Sequence, residues 1–363
     1  MKKQYFILAL PFYILAVFYV ASTTPISPHE AKLLYASDTI ATTLIEWSRT
    51  YISGFIGLRL FSIFFGFLSI WLFYELSRRY VKKPEDAYLA TFIFMLLPGI
   101  ITASTMANSG IIVLPLVLLF VLFYENQKKR WLPLIMLALF LIHEASIIFF
   151  MALLFYAMAQ KDKKLMITTG TFILVCVYLA KGISIGGRPV GHFAEIFGLY
   201  ATLFSPLLFL YFFYTMYRIL LRGEKSLLWY LSFVAFTVSL FLSIRQRIYL
   251  SDFAPYVLGS VLLMLDQFNH SLRVRLPQFQ VWYRRGFYIV MASLFFSALV
   301  IVFHQTLYRF SSHPETHFAK RIYQPYDLAK KLKKEGVSCY ETTHLRLQYQ
   351  LKFYGIPSCH FPR

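Results

Sequence analysis

The feature that most constrains this chain is a series of apolar runs, each long enough to cross much of a bilayer, separated by short basic clusters. About 30 Å of hydrocarbon needs roughly 20 residues of helix at about 1.5 Å per residue, and shorter runs must tilt or pair. Runs at 5 to 21, 53 to 75, 87 to 104, 109 to 124, 131 to 143, 145 to 160, 165 to 181, 198 to 219, 227 to 243, 253 to 267 and 287 to 303 predict about eleven spans. Of the 363 residues 58% are hydrophobic and only 15% charged, outside the usual composition of a water-soluble domain. The net charge of +19 is not a nucleic-acid signal, because its lysines and arginines are scattered between spans and form no continuous patch.

Topology follows from those clusters. Lys2-Lys3, Arg78-Arg79 with Lys82-Lys83, Lys128-Lys129-Arg130, Lys161 with Lys163-Lys164, Arg222 with Lys225, and Arg273, Arg275, Arg284 and Arg285 fall on one side if 131 to 160 is two spans. The expectation is an N-terminus in the cytoplasm, the first run retained as a span, and a C-terminus outside. The chain divides into a transmembrane domain, 1–303, with a first outer loop at 22–52, and a tail, 304–363. In the tail a helix from 325 to 335, a strand-like stretch at 337 to 342 and an amphipathic stretch to 354 predict a small αβ appendage packed on the outer loops. Cys339 and Cys359 bracket its second half, and in an oxidising space they are expected to pair.

The unusual residues collect on the outer side. Ser27-Pro28-His29-Glu30 places two adjacent titratable groups near the membrane surface, with 31 to 47 able to continue as an amphipathic helix along it. The bland reading is a helix start with a capping Glu. Arg59 lies inside the second span, where a charge must find a partner or a cavity. His143-Glu144 interrupts a long apolar block, as a functional pair or as a turn between short helices. Arg245, Arg247 and Tyr249 lie at a membrane boundary; guanidinium forks there suit phosphate, and interfacial snorkelling is the equal alternative. Lys32 is either a phosphate contact or a solvated lysine. The Gly186-Gly187-Arg188-Pro189-Val190-Gly191-His192 loop reads as a turn or a flexible cover.

The order of these motifs resembles a known family. Gly57-Leu58-Arg59-Leu60-Phe61-Ser62 opens a span that ends in Tyr74-Glu75-Leu76-Ser77-Arg78-Arg79; a hairpin with an outer turn follows, then Arg245-Gln246-Arg247-Ile248-Tyr249-Leu250 with Pro255. With Tyr326-Asp327-Leu328-Ala329-Lys330-Lys331-Leu332 and Leu351-Lys352-Phe353-Tyr354 in the tail, the chain is similar to the GT-C membrane glycosyltransferases. The branch it resembles is the bacterial one near protein O-mannosyltransferases and the lipid A aminoarabinose transferase. The resemblance implies an all-α polytopic, GT-C-like enzyme of a bacterial inner membrane, moving a sugar with inversion from a polyprenyl-phosphate donor to an acceptor glycan, lipid or protein on the outer face.

The resemblance places the first-loop acidic pair at His29-Glu30, with His where the family has Asp, and the second acidic position at Asn108. Glu30 and His29 are then the catalytic candidates. Arg59, Lys32, Arg245, Arg247, Tyr249, His143, Glu144 and Asn108 are the substrate-binding ones. A divalent ion on Glu30 with His29, His143 or His192 is compatible with those ligand types, although no regular spacing supports it. Two other classes stand beside the enzyme: a noncatalytic polyprenyl-phosphate-binding or assembly protein, favoured by the His29 and Asn108 departures, and a polysaccharide polymerase or flippase-like transporter. The apolar inner halves of the spans argue against a transporter.

Overall fold

The computed structural model describes residues 1–179, 191–310 and 316–359, and among them every regular element is helical. The helices are α1 Lys3–Thr23, α2 Pro28–Ala36, α3 Ile40–Tyr51, α4 Gly54–Tyr80, α5 Pro84–Leu96, α6 Pro98–Thr105, α7 Gly110–Glu125, α8 Leu132–Ile142, α9 Ser146–Gln160 and α10 Lys163–Tyr178. They continue with α11 Phe193–Phe204, α12 Pro206–Arg222, α13 Leu227–Arg245, α14 Ala254–Val257, α15 Val261–Val274, α16 Pro277–Val302, α17 His304–Phe310, α18 Lys320–Lys334 and α19 Leu345–Phe353. Local chemistry sets many of the starts. Ser27, Thr39, Asp162 and Ser226 cap α2, α3, α10 and α13 through their side-chain oxygens, and proline opens α2, α5 and α12.

Among the described residues four helices (α1, α4, α13 and α16) are long and apolar enough to cross a membrane, or six spans if each of two bent pairs counts as one. The expected count of about eleven is therefore not what helix length supports. The run at 87 to 104 bends by 60° between α5 and α6, and that at 198 to 219 by 106° between α11 and α12. Pro98 and Pro206 start the second helix of each pair, lacking the N–H that would continue the first ladder. Ser205 at the sharper bend has φ 85°. The run at 253 to 267 is also broken, into α14, a 3-10 turn and the start of α15. The block at 131 to 160 is two helices, α8 and α9, separated at His143 to Ala145.

The chain forms two compact units. One comprises Met1–Leu10, Phe65–Ile101 and Ser109–Ala298. Its core is aromatic, with Phe73 stacked on Phe94 at 3.9 Å and Phe120 edge-on to Phe149 at 5.0 Å. Buried hydroxyls there give their protons to carbonyls one turn back, Ser77 to Phe73 and Thr91 to Ala87, which satisfies them within their own helices.

The other unit comprises Pro11–Phe64, Thr102–Asn108 and Leu299–Arg363. The helix expected over 31 to 47 is two helices here. Thr39 caps α3, and the Thr42 hydroxyl lies within hydrogen-bonding distance of both the Leu33 and Ser37 carbonyls, which turns the chain at Ser37-Asp38. On α3 Ala41 and Ile45 are buried while Trp47 and Tyr51 stand exposed, the pattern of an interfacial helix. After α3 the chain reverses tightly into α4. A Cβ at Gly57 would lie 1.7 Å from the Ile52 carbonyl oxygen, so only glycine fits there.

In the tail α18 and α19 close a small core of Ala329, Leu332, Leu351 and Ile356, and α19 packs on α2. Cys339 and Cys359 are joined in a disulfide. The strand expected at 337 to 342 does not form. Its extended backbone finds no ladder, only a bond from the Tyr340 N–H to the Pro357 carbonyl, 3.0 Å, so the described tail is helical.

Candidate functional site in the first loop

The first loop is built around one ion pair. Ser27 ends an extended segment and begins α2 with a capping box: its hydroxyl accepts from the Glu30 N–H, and the Glu30 carboxylate accepts from the Ser27 N–H at 2.9 Å. The capping reading of Glu30 is therefore correct, but capping is only part of its work. Its side chain has no exposed surface, and it also accepts from Arg59 Nε at 2.7 Å, Arg59 Nη2 at 2.8 Å and the Ala107 N–H at 2.8 Å.

Arg59 is as fully engaged. Of its five N–H groups, two go to Glu30 and the rest to the carbonyls of Ala21, Thr24 and Pro25, at 2.9, 2.7 and 3.1 Å. Ala21 lies in the last turn of α1, whose carbonyls lack partners within the helix, so the guanidinium also caps that end with positive charge. One buried pair thus ties together α1, α2, α4 and the turn after α6, answering the question that a charge at Arg59 raises.

Around this pair lie residues that the sequence does not advertise. His304 takes the Ile301 carbonyl at Nδ1, 2.7 Å, which must accept, leaving Nε2 to receive the Tyr323 hydroxyl at 3.1 Å with Thr24 Oγ1 at 3.4 Å. Ile26 is held from the tail on both its backbone groups: its N–H donates to Tyr354 Oη at 3.2 Å, and its carbonyl accepts from Gln350 Nε2 at 2.8 Å. His304 stands at the end of an apolar run, and Gln350 in an ordinary amphipathic stretch, so composition gives no signal for either.

His29, beside Glu30, is exposed. Crowding around its ring is the largest influence and lowers its pKa; the Glu30 charge opposes this, and Lys32 and Arg346 reinforce it. The imidazole is consequently neutral near pH 7, with a lone pair to offer. Lys32 is exposed on the same helix. Asn108 turns inward, its amide donating to the carbonyls of Ala103 and Met106 at 3.1 and 2.9 Å, which closes the end of α6.

Burial opposes ionisation of Glu30, but the Arg59 charge, its hydrogen bonds and the Ser27 and Ala107 N–H groups outweigh it and hold the carboxyl below its ordinary 4.5. Burial also lowers His304 from 6.5, helped by the charge of Arg59 and opposed by the Ile301 carbonyl. Both shifts have the same sign for stability. In each window the unfolded chain binds the proton more readily, so stability falls with pH, first below about 6.5 as His304 charges in the unfolded state and then below about 4.5 for Glu30. Thermal unfolding of the purified protein from pH 8 to 3 is expected to decline in these two stages; a midpoint that stayed flat or rose on acidification would contradict it.

The remaining expected residues belong to the other unit. His143 ends α8, buried, with Nε2 unpartnered, and Glu144 beside it is exposed. Asp252, which sequence reasoning did not single out, is pushed up to about 6, first by burial and then by the charge of Glu144, with the Ser251 hydroxyl opposing. Arg247 makes an exposed ion pair with Glu195, whose other oxygen lies 3.3 Å from His192 Nδ1. Arg245 and Tyr249 are exposed. Of the Gly-rich loop only Gly191 and His192 lie within the described residues; 186–190 lie outside them.

The residues do not fit the divalent ion considered above. Both Glu30 oxygens are already committed to cationic and amide donors, and among the described residues no three His, Cys, Asp or Glu side chains converge.

This helical array shares its fold with solved structures. It is similar to the crystal structure of ArnT from Cupriavidus metallidurans in the apo state, with a TM-score of 0.62 and 11% identity, covering 98% of this chain and 85% of that one. It is likewise similar to ArnT from Cupriavidus metallidurans bound to undecaprenyl phosphate, with a TM-score of 0.58 and 12% identity, covering 98% of this chain and 75% of that one. At such identities the likeness is one of fold. No family model and no curated protein sequence matches the chain.

Proposed function

We propose that this protein is a GT-C-type glycosyltransferase that takes a sugar from a polyprenyl-phosphate donor and passes it to an acceptor hydroxyl on the outer face of a bacterial inner membrane. The observation that carries the reading is the ArnT fold over 98% of the chain, shared with a structure bound to undecaprenyl phosphate. In the step proposed, the acceptor O–H gives its proton to a base and its oxygen attacks the anomeric carbon with inversion. The bond from that carbon to the phosphate oxygen breaks, and polyprenyl phosphate leaves with the electron pair. We assign the base to His29, because its neutral imidazole is accessible, and Glu30 to holding the loop, because it has no lone pair free and no exposed surface. Lys32, exposed one helical turn from His29, supplies positive charge for the leaving phosphate. The phosphate-binding role of Arg245, Arg247 and Tyr249 is a proposal for their own unit taken by itself.

The finer topology belongs to the same proposal. About eleven crossings, with short and bent helices completing the set, put the N-terminus in the cytoplasm and the tail 304–363 outside, where the Cys339–Cys359 bond would persist. One observation favours a second reading, a noncatalytic binder of polyprenyl phosphate: the only carboxylate at the first-loop motif is wholly sequestered.

The test is to incubate the full chain, reconstituted in lipid, with a panel of polyprenyl-phosphate sugars and a membrane extract as acceptor source, and to measure release of polyprenyl phosphate. Release with at least one donor is expected. Donor binding with no release in any extract would overturn the transferase reading in favour of the binder.

A further inference from the structure

The unit formed by Met1–Leu10, Phe65–Ile101 and Ser109–Ala298 contains an apolar cavity of about 250 Å³ that plays no part in the first-loop site. An apolar cavity of roughly 150 Å³ already admits a benzene ring, so this one has room for a stretch of hydrocarbon. Its wall includes Leu208, Met264, Phe268, Trp282, Phe287 and Met291, from α12, α15 and α16. The space exists because α16 packs loosely: of its 26 residues only Leu294 and Ala298 are buried. Contact is made through rings, Phe268 stacking on Tyr283 at 5.0 Å and on Phe287 at 4.6 Å. Gly286 lies on the cavity wall, and a Cβ there would meet no atom within 4 Å.

The chemistry bordering the cavity is cationic. Arg275 lies 4.3 Å over the ring of Tyr283, and Arg285 lies 5.0 Å over that of Trp282, both rings being part of the wall. Arg218 rests on Tyr214 Oη at 2.7 Å and Ser271 Oγ at 3.3 Å. Among the described residues none of these three arginines is ion-paired with a carboxylate. Asp86, on neighbouring α5, accepts from the Asn269 amide at 3.0 Å. The hydroxyls of Tyr211 and Tyr283 meet at 3.2 Å on the wall; one proton serves that bond and the other is available to a ligand. An apolar slot edged by guanidinium groups without carboxylate partners and by a hydroxyl proton still to give is complementary to a molecule with a hydrocarbon chain and an anionic head.

We propose that this cavity is a binding site for an anionic glycerophospholipid, with an acyl chain between α12, α15 and α16 and the phosphate on Arg275 and its neighbours. A glycerophospholipid is the occupant because Arg275 in the link between α15 and α16 is flanked by Arg273 on α15 and by Arg284 and Arg285 on α16, a basic cluster at the edge of the cavity, and such clusters face leaflets rich in anionic phospholipid. The lipid completes the packing of α16 and fixes that helix against α15. None of this depends on the transferase reading.

The test uses the full-length protein in detergent, with phosphatidylglycerol, phosphatidylethanolamine and polyprenyl phosphate added separately, reading thermal unfolding and lipid retention by native mass spectrometry. The variants are Gly286→Phe, which fills the cavity from a position with open space, and Arg275→Gln. Phosphatidylglycerol is expected to raise the unfolding temperature of the wild type and to remain bound. Each variant should lose at least about tenfold in retention, as expected for one charge-assisted contact or a blocked slot. Gly286→Phe without lipid should unfold no earlier than wild type; if it fails to fold, Gly286→Leu takes its place. Equal retention of phosphatidylglycerol by wild type and the cavity-filled variant would overturn the proposal, as would capture of polyprenyl phosphate alone, or equal retention of phosphatidylethanolamine.

Discussion

Glu30→Ala is expected to destabilise the protein by about 3–5 kcal/mol, because it strands a buried guanidinium that has no route to solvent. That is a large part of the roughly 5–15 kcal/mol by which a folded domain is stable. Arg59→Lys should be nearly as damaging. An ammonium carries three donors and cannot reproduce the planar fork that holds Glu30 at two points and the carbonyls of Ala21, Thr24 and Pro25. The double variant Glu30→Leu with Arg59→Met should lose less than the sum of the two single losses, since it leaves no uncompensated charge, although the backbone groups the pair satisfied remain stranded. Thermal unfolding of the purified variants measures all three. Single substitutions that stay within about 0.5 kcal/mol of wild type would show that the pair does not hold the loop.

His29→Gln should behave in the opposite way. The side chain is exposed and makes none of the bonds that order the loop, so unfolding should be unchanged. If the imidazole removes the acceptor proton, sugar transfer should fall by about 10²–10⁴-fold. The acid limb of the wild-type pH–rate profile should lie below 6.5, since His29 is shifted downward, and it should vanish from whatever activity His29→Gln retains. Activity within a few-fold of wild type would remove His29 from the chemistry and return the question to the rest of the loop. Comparing unfolding and turnover in the same two variants separates a residue that builds the site from one that works in it.

Much of this was legible in the sequence, for identifiable reasons. The apolar runs and basic clusters announced a helical membrane protein because the solvent forces every backbone group to find a partner within its own segment. Glu30 and Arg59 each drew notice alone, one as a capping residue and one as a charge in an apolar run. Their pairing was hidden, since it spans 29 residues of chain and depends on how α2 and α4 approach each other. The breaks at Pro98 and Pro206 were visible as prolines, but whether a proline kinks a helix or ends it is decided by packing. The stretch 337 to 342 has strand-like residues and, among the described residues, no partner strand, so local preference did not become structure. His304 was missed because one histidine at the edge of a span looks like any polar residue marking an interface.

The two bonds from the tail to Ile26 join residues 324 and 328 positions apart. A growing chain exposes Ile26 more than three hundred residues before the partners that fix it have been made. The loop must therefore wait, with the Ile26 amide and carbonyl satisfied only by water, until residues 350 and 354 have been made and brought beside it. Contacts of such long sequence separation form slowly. A chain cut between residues 60 and 350 would carry all the residues of the first-loop motif and lack the clasp on Ile26, so arrangement of this site registers whether the segment around 350 to 354 is present and in place.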